Sequence, residues 1–73
     1  MLMTVRPFGF LAELAPRDSR VELPEGSRVE DALRGACMPE IEMVLVLDGK
    51  PARPDTVVFA GSVLEIFPLV DGG

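Results

Sequence analysis

The group with the clearest chemical use in this sequence is a carboxylate at its end, carried on Asp71-Gly72-Gly73. A glycine pair has no Cβ atoms. It can thread a channel that any larger side chain would block, and it adopts backbone angles closed to other residues. A carboxylate is a poor electrophile and a poor nucleophile at neutral pH, so it needs activation. A partner enzyme that adenylates Gly73 with ATP converts it to a mixed anhydride. Sulfide or a persulfide can then displace AMP and leave a thiocarboxylate, which carries reactive sulfur without releasing free sulfide. In that chemistry Gly73 is the reacting residue, and Val70, Asp71 and Gly72 are the lead that enters the partner's site. Taken alone, the doublet also fits an ordinary frayed terminus, since end residues are seldom ordered unless tied down.

The rest of the sequence offers little other chemistry. There is no His, hence no imidazole base and no Ser-His or Cys-His pair. With one cysteine, Cys37, neither a disulfide framework nor a zinc site of the usual kind can be assembled, and no metal site is expected. Cys37 itself reads as a half-buried small hydrophobe near a helix end, with only Arg34 as a nearby cation to activate it. The carboxylates Asp18, Glu22, Glu25, Glu30, Asp31, Glu40 and Glu42 are scattered and read as a solvated acidic surface. Gly49 and Gly61 stand alone in turns, so no phosphate loop is present. The net charge of −5 argues against a nucleic-acid partner and for a basic protein partner. The N-terminal stretch has no signal-peptide pattern, and the longest clear apolar run, Met43 to Leu47, is too short to span a bilayer; a reducing cytoplasm is the expected compartment.

What must position the tail is a single small domain, residues 1–68, with residues 69–73 as a flexible lead. Residues Leu2 to about Phe10 alternate as a first strand, with Leu2, Thr4, Arg6 and Phe8 on one face and Met3, Val5 and Pro7 on the other. Pro7 cannot donate to a ladder and needs an unpaired position or a bulge. Leu11 to Ala15 allows one helical turn. Arg20 to Leu23 is a second strand, paired with the first and stopped by Pro24-Glu25-Gly26. Ser27-Arg28-Val29-Glu30 has the pattern of a capping box, and Val29, Ala32, Leu33 and Ala36 form the apolar face of a helix over residues 28–37, limited by Pro39. Met43 to Leu47 is a short buried strand, Asp48-Gly49 a hairpin turn, and the proline-flanked residues 50–55 a loop or edge. Thr56 to Phe59 is a further short strand and Ser62 to Pro68 the last. The order β-β-α-β-β-β describes an α+β ubiquitin-like β-grasp, a mixed sheet with one main helix across one face, in which the last strand lies beside the first.

On the last strand Leu64 and Ile66 share one face and Val63, Glu65 and Phe67 the other. If the first pair faces the helix, Val63 and Phe67 lie on the open face near Phe8 and Leu2. An apolar patch rimmed by charge marks a partner site, and Phe8, Phe67, Leu69 and Val63 are its candidate residues. The bland alternative places Phe8, Phe59 and Phe67 in the core.

With these features in hand, the chain resembles the MoaD/ThiS family of ubiquitin-like sulfur carriers over nearly its whole length. Residues 5–14 are similar to the family's first strand and turn, 21–33 to its second strand and helix entry, and 44–50 to the strand and turn that follow. The most specific segment is Leu64-Glu65-Ile66-Phe67-Pro68-Leu69-Val70-Asp71-Gly72-Gly73. Two departures blur the branch: Ala60-Gly61-Ser62 stands where an Asp-Gly-Asp turn is usual, and Pro68-Leu69 where two prolines often occur. The resemblance implies that a ubiquitin-activating-type adenylyltransferase consumes ATP to activate Gly73, that no cofactor is bound by the chain itself, and that the chain is a non-catalytic subunit. In the molybdopterin branch the tail enters the large subunit of molybdopterin synthase. A ThiS-like carrier for thiamine thiazole or another pathway is the alternative within the family. A β-grasp interaction module that is never thiocarboxylated, and a modifier joined to lysines through Gly73, are the alternatives outside it.

Overall fold

The computed structural model describes residues 1–15 and 18–69. Gly73, expected as the reacting residue, and Val70, Asp71 and Gly72, expected to enter the partner's site, lie outside the described residues. Strands β1 (Leu2–Pro7) and β2 (Ser19–Glu22) are antiparallel, with a 3-10 turn over Gly9–Glu13 between them. Helix α1 (Val29–Gly35) leads to β3 (Met43–Leu47), β4 (Lys50–Pro51) and β5 (Val63–Pro68). The five strands form one sheet in the order β2-β1-β5-β3-β4, parallel between β1 and β5 and antiparallel elsewhere. This is the β-grasp arrangement, and the last strand does lie beside the first.

Alternation along the strands builds the core. Met3 and Val5 of β1 and Leu64 and Ile66 of β5 are buried, and they share one apolar cluster with Val29, Ala32 and Ala36 of the helix and with Leu11 and Val58. Pro7 fits β1 without a bulge. The pairing of β1 with β2 ends at Val5 opposite Ser19, so Pro7 lies beyond the last partner that could have used an N–H there. Gly35 fixes how closely the helix approaches β2: a Cβ at this position would lie 2.6 Å from Val21 Cγ1.

Several local expectations give way to tertiary contacts. The helix cap is formed one residue later than the Ser27–Glu30 box. The Arg28 N–H donates to the Asp31 carboxylate at 2.8 Å, while the Ser27 hydroxyl donates to the Pro24 carbonyl at 2.7 Å. Thr56 to Phe59 forms no strand of the sheet. Its backbone turns to the helix entry instead: Val29 N–H donates to the Thr56 carbonyl, Val58 N–H donates to the Ser27 carbonyl, and Val57 makes an isolated bridge with Arg28. The free N–H groups of the helix's first turn outcompete a sheet edge for these partners. Strand β3 is only half buried, since Val44 faces outward and Leu45 inward. Lys50–Pro51 is an edge strand, as the prolines suggested, after a hairpin whose Asp48 and Gly49 both have positive φ.

Cys37 is exposed rather than half-buried. It occupies the left-handed position just past the helix, with φ of 58°. Met38 N–H donates to the Leu33 carbonyl and Cys37 N–H to the Arg34 carbonyl. That is the pair of bonds of a Schellman ending, in which a glycine is usual at this place.

Candidate functional site

Strand β5 is central in the sheet, so the root of the tail is held on both sides. Pro68 is paired with Met43 of β3, Phe8 N–H donates to the Ile66 carbonyl at 2.9 Å, and Leu69 N–H donates to the Glu42 carbonyl at 3.3 Å. Gly9 has φ of 59°, and a Cβ added there would lie 2.9 Å from Pro68 Cγ. Only glycine combines that backbone conformation with so close an approach. The chain is thus fixed through Leu69, and the four residues after it reach at most about 14 Å when fully extended.

Beside this root lies an aromatic pair. The Phe8 and Phe67 rings stack with centroids 4.5 Å apart and planes inclined by 14°. Both are half-buried and stand on the sheet face opposite the helix. The register puts Val44 next to Phe67, so the patch continues onto β3, where Val44 is 44% exposed. The third aromatic of the open question, Phe59, is 67% exposed and belongs neither to the core nor to this pair.

A charged belt crosses the same face one register step away. Arg6 Nε donates to Asp18 Oδ1 at 3.0 Å, and Arg6 Nη1 lies 3.9 Å from Glu65 Oε2. The guanidinium is held above its ordinary range, chiefly by the hydrogen bond to Asp18, with the Asp18 and Glu65 charges adding to it. Val63 lies beyond this belt, with Arg6 and Glu65 between it and the aromatic pair. The structure therefore brings Phe8 and Phe67 together and sets Val63 apart on the same face.

Leu69 points elsewhere. It is exposed and lines an open groove of about 650 Å³ between α1, the segment leading into β3, and residues 52–54. Leu33, Met38, Ile41 and Met43 supply the apolar wall; Arg34 and Arg53 stand at it with Glu30, Glu40 and Glu42. The sequence reading missed this groove. The signal was there in Met38 and Ile41, two large apolar residues just past the helix with no place in either strand pattern.

Among the described residues no group of three or more His, Cys, Asp or Glu side chains is placed to hold a metal ion, and no helix is long and apolar enough to cross a membrane. What the described residues show is a stacked aromatic patch on the open sheet face beside a tail root hydrogen-bonded on both sides.

Comparison with known proteins agrees with this geometry. No curated protein matches the chain by sequence. Among solved structures it is similar to small archaeal modifier protein 1 (SAMP1) from Haloferax volcanii, with 26% identity, a TM-score of 0.82 and full coverage of both chains. It is also similar in fold to a protein assigned as molybdopterin converting factor subunit 1 from Pyrococcus furiosus, with 24% identity, a TM-score of 0.78, and 96% and 99% of the two chains covered. The sequence profile of the ThiS family matches residues 5–73, from the first strand through the glycine pair, and the chain belongs to that family.

Proposed function

We propose that this chain is a sulfur carrier whose Gly73 carboxylate is adenylated and then converted to a thiocarboxylate. The observation that carries this reading is the continuous match to the ThiS family through Gly73, on a fold that anchors the chain firmly at Pro68 and Leu69. The activating partner is a ubiquitin-activating-type adenylyltransferase that uses ATP, and the chain contributes no catalytic side chain. The acidic net charge and the Phe8–Phe67 patch suit docking on a basic surface with an apolar centre. Within a bound complex the short lead of Val70, Asp71 and Gly72 brings Gly73 into the partner's site. The fold likeness to a molybdopterin converting factor subunit favours molybdopterin synthesis as the destination of the sulfur, with this chain as the small subunit of the synthase.

The decisive experiment is an intact-mass measurement after incubation with ATP, the cognate adenylyltransferase and a sulfur donor. Replacement of one oxygen by sulfur adds about 16 Da, located at Gly73. No gain, with an enzyme active on another carrier, overturns the reading.

A second reading has its own support. The likeness to SAMP1, named as a modifier, extends over the full length of both chains. A chain of this kind would join Gly73 to a lysine amine instead of, or as well as, carrying sulfur. Both readings share the acyl adenylate, and stable isopeptide adducts distinguish the second.

A further inference from the structure

The sequence contains six arginines but one lysine, Lys50. It is exposed and begins the edge strand β4, directly after the Asp48-Gly49 turn. No ion pair to it is formed among the described residues. The other amine in the sequence, that of Met1, is engaged: it donates to the Leu23 carbonyl at 2.6 Å and lies 2.8 Å from Glu22 Oε2. One amine is thus tied into the fold and the other projects from the rim.

The two reactive ends are also set apart. Lys50 pairs with Leu47, which is in register with Leu64 at the start of β5, whereas the tail root at Pro68 is in register with Met43. Strand β5 runs from the Lys50 end of the sheet to Pro68 at the opposite end, so the described part of the chain runs away from Lys50 toward the root of the tail. A donor at one end and an acceptor at the other form a head-to-tail contact, which joins successive copies in an open line.

We propose that Lys50 is the acceptor at which one copy of this chain is acylated by Gly73 of another, giving chains of a single linkage type. The inference rests on the reading that Gly73 is adenylated. In the step, the neutral Lys50 amine attacks the Gly73 acyl carbon of the adenylate. The new C–N bond forms, the C–O bond to AMP breaks, AMP leaves with that electron pair, and the proton lost from nitrogen passes to solvent. No oxidant or reductant is needed; ATP and the adenylyltransferase supply the activated acyl group.

The test incubates the full chain with ATP and its adenylyltransferase, without a sulfur donor. ATP–pyrophosphate exchange reports adenylation, and intact mass with peptide mapping reports linkage. The expected product has twice the 7.9 kDa chain mass less one water, with larger multiples following and every junction mapping to Gly73–Lys50. Lys50→Arg keeps the exchange rate and loses all of the linked product. Exchange without linked product overturns the proposal and leaves the adenylation reading standing. Linkage that persists in Lys50→Arg, or a monomer lighter by one water from self-closure, also overturns it. Absence of exchange with an active enzyme overturns both.

Discussion

The two faces of one sheet carry the same alternating pattern and put it to opposite uses. On the helix side, Met3, Val5, Leu64 and Ile66 are fully buried, and each is held by neighbours from several elements. On the other side, Leu2, Val44, Phe8 and Phe67 are equally apolar but have no second layer above them among the described residues. The helix-side residues contribute stability because folding removes them from water. The open-face residues remain partly wetted in the free chain, so part of their burial energy is still available for association. Phe8 and Phe67 reduce the exposed area by stacking on each other, which leaves a preformed flat apolar surface on this face. Arg6 divides that face into an aromatic end near the tail and an aliphatic end near Leu2 and Val63, and so confines the patch to the region from which the tail emerges.

The largest effect that separates the faces belongs to the covered one. Ile66→Ala leaves a cavity under the helix and costs about 2–5 kcal/mol of unfolding free energy, read by urea denaturation. A loss below 1 kcal/mol would mean that the helix does not seal that face. Gly35→Ala sharpens the same side. Its methyl must displace Val21 or the helix, at about 1–3 kcal/mol, and the truncation Val21→Ala in the same chain recovers part of the loss.

On the open face the effect moves from stability to binding. Phe67→Ala removes the stacking partner of Phe8 and costs about 1 kcal/mol in unfolding. It raises the KM for the adenylyltransferase in pyrophosphate exchange about tenfold or more while kcat holds. An unchanged KM would break the comparison by taking the aromatic pair out of the docking surface. The smallest change has the opposite sign. Cys37→Gly relieves a left-handed residue at the helix end and stabilises by about 1 kcal/mol, seen as a higher midpoint in the same urea titration with exchange kinetics unaltered.

Much of this is legible in the sequence. Val29, Ala32 and Ala36 recur at helical spacing and form the buried helix stripe. Leu64 and Ile66 alternate with Glu65 and Phe67, and the two pairs do face opposite sides. Asp48-Gly49 makes the hairpin that its residue types demand. These features depend on neighbours one to four residues apart, so the sequence contains the whole interaction. The strand expected at Thr56 to Phe59 failed because its hydrogen-bond partners are the N–H and carbonyl groups at the helix entry, about thirty residues away, and no local pattern records them.

The candidate site divides in the same way. The terminal glycines, the Phe-Pro step and the family to which they belong are properties of the sequence order alone. That Phe8 meets Phe67 follows only from the parallel pairing of the first strand with the last, a contact closed over some sixty residues. The same pairing decides that Gly9 lies against Pro68. The pairings of β3 with β5 and with β4 decide that Leu69 turns to the groove below the helix instead of joining the aromatic face, and that the lone lysine stands at the far end of the sheet from the tail root. Sequence fixes which residues are apolar, small or reactive, because those are properties of single side chains. Which of them stand together is decided by strand order and register, because those depend on backbone partners distant in the chain.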